Sequence, residues 1–283
     1  MRRQRFANDE LLFVCATLSL VGSATPAPVV FGFNKPVEPA VGEFPFQASL
    51  MQQLSDKSYH SFCGGSLIHP EWVLTAAHCI QLDESVPAMK PAEVHVAFGS
   101  ILRSAKGAQI IPAKSLTIHP KYLSSGGRND IGLVQLSRRA KLSKRVKLVR
   151  LHRSNKEDLL GSTAFLTGFG IINDLYQEPE RLRKATLKIE RNNKCYNDAD
   201  YADRELCGAS KLADGKACKG DSGGPLTINR NGALVQIGVT SRLALLPFCR
   251  IGFNHSVYTR VSHYVAWISR VTGIDFSKYN ASK

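Results

Sequence analysis

Short apolar runs separated by turn-forming residues constrain the fold of this chain more than any other feature of its sequence. Residues 46–50, 65–68, 94–98 and 234–239 are such runs, and Gly, Pro, Asn and Asp occur between them. Runs of this length and spacing are typical of antiparallel strands in a β-sandwich or β-barrel. With 43% hydrophobic residues, the 283-residue chain can bury a sizeable core. The sequence therefore predicts a mostly β protein.

One segment near the C-terminus predicts a helix instead. Ser262 is a favourable N-cap residue, and Tyr264, Val265, Ile268 and Val271 follow it at the spacing of one helical face. We therefore expect a single C-terminal α-helix after the strands. No apolar run reaches the roughly 18–20 residues that a membrane-spanning helix requires, so we expect no membrane partner.

The N-terminus has the pattern of a secretory signal peptide. Three arginines within the first five residues precede an apolar stretch over residues 11–22, and small residues follow it up to Ala24. A basic start, a short apolar centre and a small-residue exit are typical of segments that direct secretion and are then removed. A buried helix is the alternative interpretation. We predict a signal peptide over residues 1–24 and a secreted, extracellular mature protein.

Removal of that segment would leave an even number of cysteines. The six are Cys63, Cys79, Cys195, Cys207, Cys218 and Cys249. Such a set in a secreted chain predicts disulfides, although the spacing alone does not select the pairing. A zinc site is the alternative, but the closely spaced cysteine and histidine pairs typical of zinc sites do not occur. We expect no metal and no cofactor.

Three residues have catalytic potential. His78 stands beside a cysteine, Asp130 precedes an apolar run, and Ser222 lies among the glycines of residues 220–225. A serine hydroxyl becomes a good nucleophile when a base accepts its proton, and an imidazole is suited to this near neutral pH. A carboxylate can orient that imidazole, and backbone N–H groups in a glycine turn can bind an oxyanion. Each residue alone has a structural explanation, but together they predict a nucleophilic serine.

Seven ordered motifs occupy residues 42–47, 63–68, 72–79, 129–131, 167–170, 220–225 and 257–261. In sequence and order, these motifs resemble those of the chymotrypsin-fold (trypsin-like) serine endopeptidases. The resemblance covers the chain from about residue 29 to its end. It implies an all-β fold of two packed six-stranded antiparallel Greek-key barrels with a C-terminal α-helix. The first barrel would span residues 29–145 and the second residues 146–283.

The same resemblance implies a role for each candidate residue. His78 and Asp130 would come from the first barrel, as general base and orienting acid, and Ser222 from the second, as nucleophile. The N–H groups of Gly220 and Ser222 would form the oxyanion hole, and Ser241 would lie beside Asp130.

Disulfide pairing also follows from the resemblance rather than from spacing. The implied bridges are Cys63–Cys79, Cys195–Cys207 and Cys218–Cys249. A further bridge that is common in the family is missing, because Ala164 and Ile228 occupy its positions.

Activation departs from the pattern of the family. Family zymogens are usually cut before a start such as Ile-Val-Gly-Gly, and the new α-amino group pairs with the acid beside the nucleophile, here Asp221. Residues 29–32 resemble that start only loosely, and no Lys or Arg lies between Arg5 and Lys35. A trypsin-type cut at this start is therefore excluded. We expect another protease to remove a short propeptide of residues 25–28, or the insertion never to be made.

The specificity pocket implied by the resemblance is also unusual. Its residues are Lys216, Ala217, Ser241, Arg242, Leu243 and Ser256. Lys216 stands where trypsins carry an acid, and it would repel a substrate Lys or Arg by several kcal/mol at an effective dielectric constant of about 20. Arg242, Leu243 and Ser256 replace the usual Trp, Gly and Gly. Lys216 either attracts an acidic substrate residue or turns to Asp214, which leaves a shallow apolar pocket.

Basic residues are concentrated in one stretch. The formal net charge is +14, and residues 131–156 contain nine basic residues and no acid. They are Arg138, Arg139, Lys141, Lys144, Arg145, Lys147, Arg150, Arg153 and Lys156. A solvated linker between the barrels is one interpretation, and an exosite for a polyanion such as a sulfated glycan is the other. Nucleic acid is a poor partner for a secreted chain.

The sequence thus predicts a secreted, monomeric serine endopeptidase that acts on protein or peptide substrates and is a target for protein inhibitors. It would cut after small, apolar or acidic residues. The alternative is a catalytically silent homologue that binds a protein or a glycan, for which the unusual activation site and pocket argue. N-glycosylation sequons begin at Asn254 and Asn280.

Overall fold

Two sets of antiparallel strands, each closed on itself, form the body of the chain. The computed structural model describes residues 37–171, 177–195, 203–210, 217–243 and 255–279. Its strands are β1 (Gln47–Gln53), β2 (Tyr59–His69), β3 (Trp72–Thr75), β4 (His95–Phe98), β5 (Gln109–Ile118), β6 (Gly132–Leu136), β7 (Arg150–Leu151), β8 (Thr163–Gly168), β9 (Arg183–Glu190), β10 (Glu205–Ser210), β11 (Pro225–Arg230), β12 (Ala233–Leu243) and β13 (His255–Arg260). Short 3-10 helices occur at Pro91–Glu93, Ser125–Gly127 and Asn192–Lys194.

Strands β1 to β6 form the first barrel. Its neighbours run β1–β2–β3–β6–β5–β4, and β4 pairs back onto β1 to close the ring. The inward side chains are apolar, and Leu50, Leu67 and Leu74 are completely buried. Because successive side chains of a strand point to opposite faces, these inward residues alternate with outward ones along much of each strand. The short apolar runs of the sequence are the inner faces of these strands.

Strands β8 to β13 form the second barrel in the order β11–β8–β9–β10–β13–β12, and pairing of β11 with β12 closes it. Strand β7 lies outside this ring, parallel to β12. Leu187, Leu226, Ile237 and Tyr258 belong to its buried core. Two closed six-stranded antiparallel barrels confirm the predicted fold class, and the proposed boundary at residues 145 and 146 falls in the segment between β6 and β7.

The C-terminal helix α1 (Val261–Thr272) is also confirmed, but its start differs from the prediction. Its N-cap is Arg260, the last residue of β13, and Ser262 lies inside the first turn. The strand leads directly into the helix, and Ser262 Oγ accepts a hydrogen bond from Arg260 Nε at 3.2 Å instead of capping the helix. Val265 and Ile268 pack into the same buried cluster as the first barrel. In the described part of the chain, no helix has both the length and the apolarity to cross a membrane.

Two disulfides are present among the described residues, Cys63–Cys79 and Cys195–Cys207. Ala164 and Ile228, where a family bridge is missing, are buried cross-strand neighbours on β8 and β11. Other predictions fall outside the described residues: the signal peptide (1–24), the propeptide (25–28), Lys216 and its partner Asp214, Cys249 and hence the third bridge, and the sequons at Asn254 and Asn280.

Candidate active site

The carboxylate of Asp130 is buried and is held in place by hydrogen bonds. It lies just before β6, and its side chain is 2% exposed. Oδ1 accepts a hydrogen bond from the backbone N–H of His78 at 3.0 Å, while Oδ2 lies 2.7 Å from His78 Nδ1 and accepts from Ser241 Oγ at 2.6 Å. Burial raises the pKa of Asp130, but the charge and hydrogen bonds of His78, with the bond from Ser241, hold the pKa below its usual value. Asp130 is therefore an anion in a fixed orientation.

Side-chain hydrogen bonds from two directions hold the backbone around Asp130 in place. Asn129 has a φ of +52°, in the left-handed region, and turns the chain into β6. Its side chain donates to Lys121 O at 2.7 Å and accepts from Tyr264 OH of α1 at 3.0 Å. On the other side, Thr259 Oγ1 of β13 donates to Asp130 O at 2.7 Å. Both the helix and the second barrel thus fix the position of this acid.

The imidazole of His78 lies between Asp130 and solvent, with 22% of its side chain exposed. It follows β3, and the disulfide of Cys79 ties this turn to β2. Burial lowers the pKa of His78, but the charge of Asp130 and its hydrogen bond outweigh burial and raise the pKa above its ordinary value. We assign the ring proton of neutral His78 to Nδ1 because an ionised carboxylate faces that nitrogen. Nε2 is then available to accept a proton.

Ser222 lies on a tight turn that packs against the segment leading to His78. Gly64 N donates to Ser222 O at 2.7 Å. The next residue, Gly223, has a φ of +76°, and a Cβ there would meet Thr75 Oγ1 and lie 2.6 Å from Gly64 O. Only glycine allows this approach. Ser222 Oγ makes no hydrogen bond to a described residue.

The turn around Ser222 presents two N–H groups without described acceptors. The N–H groups of Asp221, Gly223 and Gly224 donate to backbone carbonyls at 3.0, 2.8 and 3.0 Å. Those of Gly220 and Ser222 donate to no described residue. Unpaired N–H groups of a serine and of the residue two positions before it can bind a developing oxyanion. Gly220 also has a φ of +97°, which orients its peptide in a way that other residues rarely adopt.

The carboxylate of Asp221 is buried next to this turn. Oδ1 accepts from Gly170 N at 2.8 Å and Oδ2 from Cys218 N at 2.9 Å. Burial raises the pKa of Asp221 to about 6, although both N–H groups and the charge of Arg103 oppose the increase. Among the described residues, no cation forms an ion pair with it. Within the described ranges, the carboxylate of Asp221 therefore lacks the cationic partner that a buried anion requires.

Arg103 is a residue that the sequence analysis missed. Its side chain is 13% exposed and pairs with Glu178 at 2.6 Å. It also donates to Phe169 O at 2.9 Å and to Ser61 O at 3.1 Å. Phe169 precedes the Gly170 N–H that binds Asp221, so Arg103 fixes one support of that carboxylate. A lone arginine outside any motif gives no sequence signal for this role.

Next to Ser241 in the chain, the partly buried Arg242 forms an ion pair with the buried Glu205. Arg242 donates through both terminal nitrogens to Glu205, at 2.9 and 2.8 Å. The side chain of Glu205 is 4% exposed and that of Arg242 is 28% exposed. Arg242 also packs against the backbone that precedes Asp130, where a Cβ on Gly127 would lie 3.1 Å from Arg242 Cδ. The sequence analysis identified Arg242 as a pocket residue but did not identify Glu205.

Three further residues of the predicted pocket lie in the described part of the chain. Ala217 and Ser256 are buried, and Leu243 is half-buried at the end of β12. Leu243 and Ser256 are cross-strand neighbours on β12 and β13.

One cluster has the composition of a metal site. The side chains of Cys63, His78 and Cys79 lie within 4.8 Å of one another. The two sulfurs, however, are bonded to each other in a disulfide, and metals bind the thiolate form. His78 is also engaged with Asp130. This cluster therefore does not provide a ligand set for a metal.

Comparison with known proteins agrees with the geometry. The family model described as trypsin matches residues 35–268. A chymotrypsin from Phaedon cochleariae is 36% identical over 231 residues, which cover 79% of this chain and 76% of that protein.

Proposed function

The chain belongs to the trypsin family of serine proteases, and on that premise we propose that Ser222, His78 and Asp130 are its catalytic residues. The observation that carries this proposal is the buried Asp130 carboxylate, which contacts His78 and leaves Nε2 of the imidazole available. The Ser222 turn packs against the segment leading to that imidazole. We therefore propose that the chain hydrolyses peptide bonds in proteins or peptides.

In the proposed reaction, Ser222 Oγ attacks the carbonyl carbon of the substrate while His78 Nε2 accepts the hydroxyl proton. Asp130 keeps the imidazole oriented and stabilises its positive charge. The N–H groups of Gly220 and Ser222 bind the oxyanion of the tetrahedral intermediate. His78 then donates its proton to the leaving amine, and the C–N bond of the tetrahedral intermediate breaks. The amine departs, and the acyl group remains bound to Ser222 Oγ as an acyl-enzyme. Water hydrolyses the acyl-enzyme with His78 again as the base.

Three variants of the mature protein test these roles. We expect Ser222→Ala to abolish hydrolysis of a denatured protein substrate and to leave thermal stability unchanged. His78→Ala should be equally inactive, because serine without its base is a poor nucleophile. Ser277→Ala, at an exposed serine, is the matched control and should keep full activity. Hydrolysis by Ser222→Ala at the rate of the unaltered protein would overturn the proposal.

We also propose that activity requires a cation to pair with Asp221. Its buried carboxylate accepts two N–H bonds but contacts no cation in the described residues. A new α-amino group, produced by cleavage near residues 28–32, would supply that charge. N-terminal sequencing of secreted, active material tests this and the proposed signal peptide together. Full activity with an uncleaved N-terminus, or after N-terminal acetylation, would overturn it.

For specificity we propose a small, apolar or acidic residue before the cut. Leu243 and Ser256, which replace the usual glycines of the implied pocket, support a short pocket, and Lys216 would repel a basic side chain. A peptide library digested by the mature enzyme tests this. If Lys216 reaches the substrate, Lys216→Ala should selectively slow cleavage after acidic residues. A strong preference for Lys or Arg in the unaltered enzyme would overturn the proposal.

The alternative function, a catalytically silent binding protein, is supported by the same Asp221 carboxylate, which no cation of the described residues pairs with. One measurement distinguishes the peptidase from the silent binding protein. If protein with a correctly cut N-terminus hydrolyses no peptide in a diverse library, the silent homologue is the better description.

A further inference from the structure

We propose that the turn over Lys141–Lys147, which joins the two barrels, binds a sulfated polysaccharide. We call this segment the basic turn. Its cationic side chains are Lys141, Lys144, Arg145 and Lys147, and all four are exposed. Arg150 and Lys156 extend the exposed charge toward the second barrel. This binding goes beyond the proposed peptidase activity and does not depend on it.

The cations of the basic turn differ from neighbouring cations because their side chains have no hydrogen-bond or ion-pair partner among the described residues. Three other cations of residues 131–156 have partners: Arg138 donates to Gln109 and Ile110, Arg139 pairs with Glu71, and Arg153 donates to Ser277 and Tyr279. The six cations of the basic turn and its extension have no acidic partner among the described residues. Glu43 flanks the segment that packs against this turn, but it is already paired with Lys184 at 2.6 Å.

The backbone of the basic turn is fixed. Ser143 N donates to Val146 O at 2.8 Å and closes the turn around Lys144 and Arg145. Val146 is buried and packs against Gly99, where a Cβ would lie 2.9 Å from Val146 Cγ2. Lys147 N donates to Pro45 O at 3.0 Å. The turn therefore holds its cations on a preformed support, which reduces the entropy lost on binding.

A linear sulfated polysaccharide fits this surface better than other polyanions. Its sulfates are dense, and binding that replaces condensed counterions needs only exposed cations along the chain. The large exposed apolar side chains of the described residues include no aromatic residue for stacking on bases. At the turn itself only Leu142 is an exposed large apolar residue, which is too little for insertion into a bilayer.

The test measures binding of a heparin decasaccharide to the full mature chain carrying Ser222→Ala, which prevents self-digestion. Six cations should give log Kd a slope against log salt of about 4, so doubling the salt should weaken binding about 20-fold. The quadruple variant Lys141→Gln, Lys144→Gln, Arg145→Gln and Lys147→Gln should reduce the slope to about 1.5. The matched control carries the same loss of charge at exposed lysines outside residues 131–156: Lys57→Gln, Lys90→Gln, Lys121→Gln and Lys278→Gln.

Both quadruple variants keep Val146, so their melting temperatures should match that of the parent and show that they are folded. The proposal is supported if the control keeps the parental slope of about 4 and the slope of the basic-turn variant falls to about 1.5. Equal losses in both variants, or no binding by the parent, overturn it. Binding of duplex DNA or of phosphatidylserine vesicles as tightly as the decasaccharide, or undiminished binding of desulfated heparin, also overturns the assignment to a sulfated polysaccharide. Because Ser222→Ala removes catalysis, no outcome depends on the proposed peptidase activity.

Discussion

The Glu205–Arg242 pair predicts an asymmetric response to substitution. Glu205 is almost completely buried, whereas more than a quarter of the Arg242 side chain reaches solvent. Arg242→Met would leave a buried carboxylate without its bidentate partner. Removal of one member of a buried pair costs about 3–5 kcal/mol. For a chain of this size, that corresponds to a decrease in melting temperature of roughly 10 °C.

The reverse substitution should be milder. In Glu205→Met, the partly exposed guanidinium of Arg242 can turn toward water, so we expect a loss of about 1–2 kcal/mol. The double variant removes both charges and should fall within about 2 kcal/mol of the parent, because apolar replacement of a buried pair is often neutral. Single losses of about 3–5 and 1–2 kcal/mol, against at most about 2 kcal/mol for the double variant, give the cycle a coupling energy of at least about 2 kcal/mol.

Thermal melts of the four proteins at pH 7 provide the assay. Additive effects of the two single substitutions, or a loss in Glu205→Met as large as the loss in Arg242→Met, would refute this reasoning.

Three further predictions concern the site and the second barrel. Because His78 must be neutral to accept a proton and its pKa is raised, kcat/KM should rise with pH to a plateau, with a midpoint above the ordinary value of 6.5; a pH profile with a midpoint below 6.5 would contradict this. Gly223→Ala should abolish activity and cost more than 2 kcal/mol by chemical denaturation, whereas Gly232→Ala, at a φ of +79° with open space around it, should cost about 1 kcal/mol and keep activity. Ala164→Cys with Ile228→Cys should form a bridge between β8 and β11, which makes the oxidised double variant about 2–4 kcal/mol more stable than Ile228→Cys alone, with the other disulfides intact in both. A double variant that is no more stable than Ile228→Cys argues against the observed register.

The sequence predicts the fold because each strand carries its own signal. Short apolar runs bounded by turn residues identify strands locally, and ordered motifs supply the arrangement into two barrels. The start of α1 shows the limit of local signals. Ser262 has a good capping side chain, but the chain enters the helix straight from β13, so Arg260 occupies the N-cap position. Tertiary connection determines that boundary.

The candidate site also contains some residues that sequence motifs identify and others that only the fold brings together. Motifs identify His78, Asp130 and Ser222, because each has a characteristic neighbourhood in the chain. Glu205 and Arg103 have none. Glu205 contacts a residue 37 positions away, and Arg103 reaches backbone carbonyls 42 and 66 positions away. Such partners depend on how the strands pair, and a single sequence without its fold does not encode them in a fixed spacing.

Covalent labelling by a fluorophosphonate tests the central claim most directly. The reagent reacts with a serine hydroxyl that a neighbouring base activates, so the secreted and N-terminally processed protein should gain one adduct, located by peptide mass at Ser222. Substitution of His78 by Ala should slow labelling at least about 1000-fold, because the base no longer accepts the proton. An adduct on another serine, or labelling of Ser222 at an unchanged rate without the imidazole, would contradict the assignment of these residues.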